Sequence, residues 1–250
     1  MFRYTVTMLA SPAAFDLLAD EDMSRFEEDG FLVVRNLISE PQVEELVVEY
    51  DKAVRGDYGD LSWDQRKNRR KSIEGKMVQL ANPSQVIPGW SDHEYMQRSL
   101  AIARQLLGND LEYQYDQLIM KPPYHPAETH WHQDAGYWKN NRAVTCWLAL
   151  SEVVEINGAM RFLPGSHNKG IVEHTNASEY SEIDGALEAV VADISDAVTI
   201  PLEPGSATFH HCRTLHYASG NFSDVPRRGL ITHFFPTEWK SLSRTHIMGW

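Results

Sequence analysis

The feature that most constrains the fold is a succession of short apolar segments in the second half of the chain, rich in β-branched and aromatic residues. Turn-forming sequences such as Asn157-Gly158, Pro164-Gly165 and Pro204-Gly205 separate these segments. Short strands at regular spacing with turn signals between them are typical of an all-β sandwich or barrel. The predicted strands are Leu111–Met120, Ala143–Leu150, Ala159–Leu163, Ala197–Pro201, Ala207–His210 and Gly229–Phe235.

The first half of the chain carries helical signals instead. Acidic and cap-forming residues at Glu21–Ser24 predict a helix that ends at Gly30, and Pro41 stands at the start of a second helix with apolar residues at helical spacing. A third helix is predicted from about Asp92 to Leu107, and one short strand at Met77–Leu80. We predict a single domain over residues 1–250, in which a helical part (about 20–108) packs on a β-sandwich core (about 111–236).

The charge balance argues against nucleic acid as a partner. Lys and Arg number 23 and Asp and Glu 35, so the formal net charge is −12, whereas nucleic-acid affinity rests on clustered cations. The longest basic run, residues 66–71, is short, and we interpret it as a solvated surface.

The sequence shows no export or membrane signal. The 2 cysteines cannot form a disulfide framework, and the N-terminal stretch lacks the apolar core of a signal peptide. No window approaches the ~20 apolar residues of a membrane span. We therefore predict a soluble, cytoplasmic protein without a nucleic-acid or membrane partner, and its oligomeric state is left open.

Histidines concentrate in two short clusters beside predicted strands. His132 and Asp134 are two residues apart, and on an extended strand such residues face the same side. A histidine from a distant strand, His211 or His216, would complete a set of two imidazoles and one carboxylate. That set is the facial triad of non-haem Fe(II) oxygenases, which leaves adjacent coordination positions open. On spacing alone, both distant histidines remain candidates.

Three blocks of sequence carry a resemblance to a known family. They are WHQDAGYW (residues 131–138) and the segments 146–167 and 205–229. In this order they resemble the signature blocks of the phytanoyl-CoA dioxygenase family, and the similarity extends over about residues 24–236. The resemblance implies a double-stranded β-helix (jelly roll), mainly β with flanking helices. It also implies an enzyme, an Fe(II)- and 2-oxoglutarate-dependent dioxygenase, with Fe(II) as cofactor and 2-oxoglutarate and O2 as co-substrates.

The resemblance assigns the metal ligands. His132, Asp134 and His216 match the family's ligand positions, because the sequence from His216 to Asn221 matches the family's distal-histidine turn. His211 precedes a cysteine instead. The three remaining clustered histidines are interpreted as packing or hydrogen-bonding residues: His130, His210 and His211.

A carboxylate co-substrate requires a fixed cation. By the resemblance, Arg227 binds the distal carboxylate of 2-oxoglutarate, and its planar guanidinium suits bidentate carboxylate binding. Arg228 is the alternative, but on a strand it faces the opposite side. Trp147 and Lys121 match family positions at the co-substrate pocket. Their alternative interpretations are a core aromatic residue and a solvated lysine at a strand end.

The reaction that the resemblance implies is hydroxylation of a small molecule, with release of succinate and CO2. Desaturation, epoxidation and cyclisation use the same chemistry and are kept as alternatives. Asp134 in the ligand set predicts an oxygenase, since related halogenases have Gly or Ala there. The other classes considered are a non-catalytic jelly-roll binding protein, which has little reason to keep the triad with Arg227, and a metal-dependent hydrolase, which needs no co-substrate arginine.

The substrate is predicted only by class. Tyr137 and Trp138, which follow the aspartate, are predicted walls of the substrate cavity. The polar segment 168–196 is interpreted as a lid or, alternatively, as a surface excursion without a role. The net charge of −12 favours a cationic or neutral small molecule, such as a secondary metabolite, over an acyl-CoA with its phosphates.

Overall fold

The computed structural model describes residues 18–59, 76–138, 140–177 and 186–241. Its helices are α1 (Asp20–Asp29), α2 (Glu40–Arg55), α3 (Glu94–Leu107) and the short α4 (Asp134–Trp138). Its strands are β1 (Phe31–Val34), β2 (Val78–Ala81), β3 (Leu111–Lys121), β4 (Thr129–His132), β5 (Val144–Ala149), β6 (Met160–Phe162), β7 (His174–Asn176), β8 (Leu187–Ala189), β9 (Val198–Ile200), β10 (Ala207–His211), β11 (His216–Ala218) and β12 (Arg227–Pro236). The basic run at 66–71 lies outside the described residues.

The three predicted N-terminal helices are confirmed, and local signals explain their ends. Gly30 ends α1 in the left-handed conformation, with φ of 82°, which glycine adopts without steric cost. At the start of α2, the side chain of Gln42 accepts a hydrogen bond of 2.9 Å from the backbone N–H of Ser39. The strand predicted at Met77–Leu80 is confirmed with a shift of one residue, as β2.

The strands form two antiparallel sheets that face each other. A six-stranded sheet has the order β1-β10-β5-β12-β3-β2, and a four-stranded sheet has the order β4-β11-β6-β9. Neighbours in sequence are mostly not neighbours in the sheets, so the chain crosses repeatedly between the two layers. This is the jelly-roll architecture that the resemblance implies. A separate pair, β7 and β8, lies within the segment predicted as a lid.

Two hydrophobic layers flank the six-stranded sheet. The helices cover its outer face, where Leu46 and Tyr50 of α2 and Ile102 of α3 join the larger core. Between the two sheets lies a smaller cluster, in which the rings of Phe31 and Phe162 stack at 4.6 Å. None of the helices in the described part of the chain has the length and hydrophobicity that a membrane span requires.

Strand β12 shows how alternation places the polar residues. On its helix-facing side, Leu230 and Phe234 enter the larger core, and Arg228 pairs with Asp51 of α2 at 3.1 Å. The alternate residues face the space between the sheets, and they are Arg227, Gly229, Ile231 and His233. Polar groups at these positions are therefore buried inside the sandwich, where the candidate site lies.

Candidate active site

Three elements bring the predicted metal ligands together. His132 ends β4 and His216 begins β11, and the two are direct cross-strand partners. Asp134 begins α4 directly after β4. Ligand atoms of the three side chains all lie within 4.8 Å of one another, and all three residues are buried. The Nε2 atoms of His132 and His216 lie 3.7 Å and 3.8 Å from Oδ1 of Asp134.

The expectation that Asp134 lies on an extended strand with His132 is wrong. Strand β4 stops at His132, and the chain turns into α4. The backbone N–H of Ala135 donates to the carbonyl of Cys212 at 2.8 Å, and that of Gly136 to the carbonyl of Gln133 at 2.9 Å. These bonds replace the pairing of a continued strand. The turn still delivers the carboxylate to the same side as the imidazole.

Backbone hydrogen bonds fix which nitrogen of each imidazole is free. Nδ1 of His132 donates to the carbonyl of His130 at 2.7 Å, and Nδ1 of His216 donates to that of Thr214 at 2.9 Å. A carbonyl can only accept, so the Nε2 lone pairs face the aspartate. Burial lowers the pKa of both histidines, which keeps them neutral. Two neutral imidazoles and one carboxylate are the donor set that Fe(II) takes in this geometry, so the residues fit the metal.

The second carboxylate oxygen of Asp134 is held by two donors. Thr145 Oγ1 donates to Oδ2 at 2.5 Å, and His210 Nε2 lies 3.3 Å from the same atom. Burial alone would raise the pKa of Asp134, but the hydrogen bond from His210 holds it well below its usual value. The aspartate is therefore ionised. The sequence did not single out Thr145, although its two-residue spacing from Trp147 on β5 places both on the inner face.

Unlike His210, the other two clustered histidines, His211 and His130, are not part of the ligand set or hydrogen-bonded to its aspartate. His211 belongs to the opposite face of β10, where its Nδ1 accepts from the backbone N–H of Arg213 at 3.0 Å and its ring lies 5.6 Å from His167. His130 lies with its Nδ1 3.1 Å from Glu128 and 3.9 Å from Glu188. Geometry thus groups His216, not His211, with Asp134.

Two cationic side chains lie beside this group. Arg227 of β12 and Lys121 of β3 are direct cross-strand partners, with 1% and 0% of their surface exposed. Lys121 Nζ donates to the carbonyls of Ala218 at 3.1 Å and Ser219 at 2.6 Å, next to His216 on β11. Within the described residues, neither cation forms an ion pair with a carboxylate, and Nε of Arg227 has no hydrogen-bond partner.

Burial without a counter-ion penalises both cations. It lowers the pKa of Arg227 to about 10, and burial together with the nearby Arg227 lowers the pKa of Lys121 well below its usual value. An unpaired buried charge is costly, and a bound anion removes that cost. The pair is therefore suited to bind a carboxylate inside the sandwich.

Trp147 and Gly229 position the guanidinium. The Arg227 Cζ lies 4.5 Å from the centre of the Trp147 ring, in a cation–π contact. A Cβ on Gly229 would lie 2.3 Å from the indole, so only glycine lets the ring lie across β12 at this point. Arg228 points to the other face of the sheet, toward Asp51, and cannot reach this cluster.

The predicted substrate residues occupy different surroundings. The ring of Tyr137 meets that of His132 edge-on at 5.8 Å, and its hydroxyl accepts from the backbone N–H of Leu187 in β8 at 2.8 Å. Trp138 is 5% exposed and packs in a small cluster with Cys212 and Phe235. Tyr137 thus joins the side chain of a candidate metal ligand to the segment predicted as a lid.

That segment is more ordered than its polar sequence indicated. Its described parts, residues 168–177 and 186–196, include β7 and β8, while residues 178–185 lie outside the described residues. The buried side chain of Gln133 anchors its start. It donates to the carbonyl of Gly170 at 2.8 Å and accepts from the N–H of Val172 at 2.9 Å. The segment is therefore tied to the turn between two candidate metal ligands, His132 and Asp134.

The fold and the geometry of the site are those of a jelly-roll oxygenase: two histidines and one aspartate that could hold a metal ion, beside two buried cations without a carboxylate partner among the described residues. The chain belongs to the phytanoyl-CoA dioxygenase (PhyH) family, whose sequence model matches residues 26–229.

Similar proteins agree with this assignment. An ectoine dioxygenase of Bordetella bronchiseptica is 27% identical over 233 residues, which cover 86% of this chain and 75% of the relative. A probable alpha-ketoglutarate-dependent hypophosphite dioxygenase of Stutzerimonas stutzeri is 26% identical, covering 84% and 76% of the two chains. The crystal structure of EvdO2 from Micromonospora carbonacea var. aurantiaca, complexed with 2-oxoglutarate, is 28% identical, with a TM-score of 0.74 over 88% of this chain and 91% of that chain.

These relationships decide between the classes of function considered for the sequence. The protein is an enzyme, an Fe(II)- and 2-oxoglutarate-dependent dioxygenase that oxidises a small molecule. They do not favour a non-catalytic binding protein or a hydrolase.

Proposed function

We propose that this chain hydroxylates a small polar molecule, with His132, Asp134 and His216 holding Fe(II) and Arg227 binding 2-oxoglutarate. The observation that carries the proposal is the convergence of three buried metal-binding side chains with a buried cation pair that lacks a carboxylate partner among the described residues. The ligand set alone fits several metalloenzymes. A carboxylate co-substrate accounts for the burial of Arg227 and Lys121 beside it.

Each residue of the site has a distinct task in this reaction. When bound, iron and 2-oxoglutarate together supply the power to oxidise an unactivated C–H bond with O2, and succinate and CO2 are released. The three side chains would hold the metal, and a ligand set of this kind leaves coordination positions for co-substrate and O2. Arg227, supported by Trp147 and with Lys121 beside it, binds the distal carboxylate. Thr145 and His210 hold the aspartate, and the burial of the three ligand side chains limits the access of water.

We propose hydroxylation rather than halogenation because a carboxylate occupies the third ligand position. Desaturation, epoxidation and cyclisation remain the alternative outcomes, and no specific observation favours one of them. Labelled dioxygen separates hydroxylation from desaturation and cyclisation, and the functional group in an oxygenated product, an alcohol or an epoxide, separates hydroxylation from epoxidation. Hydroxylation places one heavy oxygen atom in the product and one in succinate, whereas desaturation or cyclisation leaves none in the product.

For the substrate, we propose a small polar compound that is neutral or cationic. The formal net charge of −12 supports this choice over an acyl-CoA, and so do relatives named ectoine dioxygenases. Tyr137, beside His132, is the proposed contact with substrate, and Trp138 contributes a wall behind it. Ectoine is accordingly the first compound to test, followed by other small polar metabolites.

We also propose that the chain works as one domain in the cytoplasm, without nucleic-acid or membrane partners. Its negative charge supports the first exclusion, and its 2 cysteines, both free and buried, are consistent with a reducing compartment.

The test is a panel of small polar compounds incubated with the protein, Fe(II), 2-oxoglutarate and labelled dioxygen, with mass spectrometry of product and succinate. The proposal expects heavy oxygen in both. A converted compound that gains no oxygen would overturn hydroxylation, and conversion without 2-oxoglutarate would overturn the proposed co-substrate role.

A further inference from the structure

A line of buried polar side chains leads away from the metal-ligand aspartate across the six-stranded sheet. It consists of Thr145 on β5, His233 on β12 and Gln117 on β3, which are 2%, 4% and 8% exposed. Gln79, on the edge strand β2, continues it. The reaction proposed above uses none of these four side chains to bind metal or co-substrate.

Each side chain in the line is hydrogen-bonded to the next. Thr145 Oγ1 lies 2.5 Å from Oδ2 of Asp134 and 3.0 Å from Nδ1 of His233. Nε2 of His233 lies 3.2 Å from Nε2 of Gln117. The carbonyl oxygen of Gln117 accepts from the side-chain amide of Gln79. Four strands that are adjacent in the sheet but distant in sequence thus supply one continuous chain of bonds.

The chemistry of the groups fixes the direction of every bond. A carboxylate that holds a metal ion can only accept, so the single hydroxyl proton of Thr145 points to Asp134. The oxygen of Thr145 must then accept from His233, which places the imidazole proton on Nδ1. Burial lowers the pKa of His233 to about 3, so the ring is neutral and Nε2 accepts from Gln117. All donors therefore point toward the aspartate, an arrangement in which successive bonds strengthen one another.

Packing holds the middle of the chain in place. The ring of His233 lies 4.2 Å from that of Tyr115 and meets Trp138 edge-on at 4.9 Å. These contacts prevent the imidazole from turning away from Thr145. At Asp134, this series of hydrogen bonds reaches Oδ2 only. The other carboxylate oxygen, Oδ1, is left directed at the imidazoles of His132 and His216.

We propose that Thr145, His233 and Gln117 are positioning residues, which hold Oδ2 of Asp134 and thereby present Oδ1 to the metal. This inference rests on the proposed metal centre. It adds that these three residues of the six-stranded sheet raise the affinity of the centre for its metal ion. Partners that orient a metal ligand typically contribute about 10- to 100-fold to metal affinity. A purely structural network would instead change stability and leave metal affinity untouched.

The test measures binding of Mn(II) to the full-length protein by the electron paramagnetic resonance of the free ion, and thus does not depend on turnover. Thr145→Val keeps the shape of the side chain but removes the hydroxyl, and it should weaken Mn(II) binding by about 10- to 100-fold. Thr145→Ser restores the donor and should stay close to wild type. The matched control is Thr208→Val, since Thr208 is equally buried on β10 and its hydroxyl has no hydrogen-bond partner among the described residues.

A double-mutant cycle tests the chain beyond its first bond. His233→Phe preserves a ring between Tyr115 and Trp138 but cannot donate to Thr145, so it should weaken Mn(II) binding less than Thr145→Val. In the Thr145→Val background, His233→Phe should cause no further loss, because the connection to Asp134 is already broken.

Equal Mn(II) affinity in wild type and Thr145→Val, both folded by circular dichroism, would overturn the inference. So would an equal loss in Thr208→Val, or losses from Thr145→Val and His233→Phe that simply add. The Asp134→Ala variant distinguishes failure of the positioning role from failure of the proposed metal centre itself. Mn(II) binding lost in Asp134→Ala but unchanged in Thr145→Val contradicts only the positioning chain, whereas binding that survives Asp134→Ala contradicts the metal centre and with it the chain.

Discussion

The guanidinium carbon of Arg227 lies 4.5 Å from the centre of the Trp147 ring, and both side chains are buried between the sheets. The indole offers the face of a π-system but no negative charge, so it orients the guanidinium without neutralising it. Arg227 thus stays available for a carboxylate. Its neighbour Arg228 is paired with Asp51 on the opposite face of β12.

This contrast between adjacent arginines gives a direct prediction for 2-oxoglutarate. Arg227→Ala should weaken its binding to the Mn(II)-loaded protein by about 2–5 kcal/mol, because a buried carboxylate loses its charged partner. Arg228→Ala removes a partly exposed ion pair and should leave this affinity unchanged. Isothermal titration calorimetry measures both variants. A larger loss in Arg228→Ala would contradict the assignment of Arg227.

Gly229 should control the same site through the indole. In Gly229→Ala, the new methyl group would lie 2.3 Å from the Trp147 ring. The ring must therefore move, which disturbs its cation–π contact with Arg227. We expect weaker 2-oxoglutarate binding and a loss of about 1–3 kcal/mol in the free energy of unfolding. Trp147→Leu provides the matched background, in which Gly229→Ala should have little further effect on binding. An equal additional loss there would show that the glycine acts by another route.

A buried carboxylate outside the active site should make stability depend on pH. Asp116 accepts hydrogen bonds from Ser84 and Tyr113 at 2.8 Å and from Trp90 at 3.0 Å, but burial raises its pKa from 3.8 to about 6. A raised pKa means that the folded protein binds the proton more tightly than the unfolded chain does. The stability that this provides is present below the unfolded pKa and is lost as pH rises through the folded value.

Asp116→Asn should remove this dependence. Relative to the variant, the wild-type free energy of unfolding should fall by about 2 kcal/mol between about pH 4 and about pH 7. Urea denaturation at a series of pH values measures the difference. A difference between the two proteins that stays constant over this range would contradict the prediction.

Gln133 should control the order of the segment that follows the Pro164-Gly165 turn. Gln133→Leu removes the bonds to Gly170 and Val172 while keeping a side chain of similar size. Amide hydrogen exchange at Val172 and its neighbours should become faster, and exchange in β12 should not change. Equal protection of Val172 in both proteins would show that β7 and β8 hold the segment without Gln133.

The fold was largely predictable because its signals are local. Strands such as β5 and β12 and helices such as α3 are encoded by apolar periodicity and by glycine and proline at their ends. The turn after His132 was not predictable, because α4 is stabilised by a backbone hydrogen bond from Ala135 to Cys212, which is distant in sequence. Periodicity predicts a continued strand there and cannot show that the backbone finds its partner elsewhere.

The site was predictable only in part for the same reason. His132, Asp134, His216 and Arg227 were assigned from a resemblance carried by contiguous blocks of sequence. Thr145 and His233 lie on different strands and become neighbours only through the register of β5 with β12. Nothing in the sequence around Thr145 or His233 indicates that their side chains are hydrogen-bonded to each other and, through Thr145, to Asp134.

The most direct measurement of the central claim follows the amounts of succinate and of oxidised product that wild type and Asp134→Ala form. With a converted compound from the panel, the account predicts one succinate for each product molecule in wild type. It predicts no turnover when Fe(II) is chelated or when Asp134 is replaced by Ala. Conversion by Asp134→Ala at the wild-type rate, or product formed without matching succinate, would contradict the account.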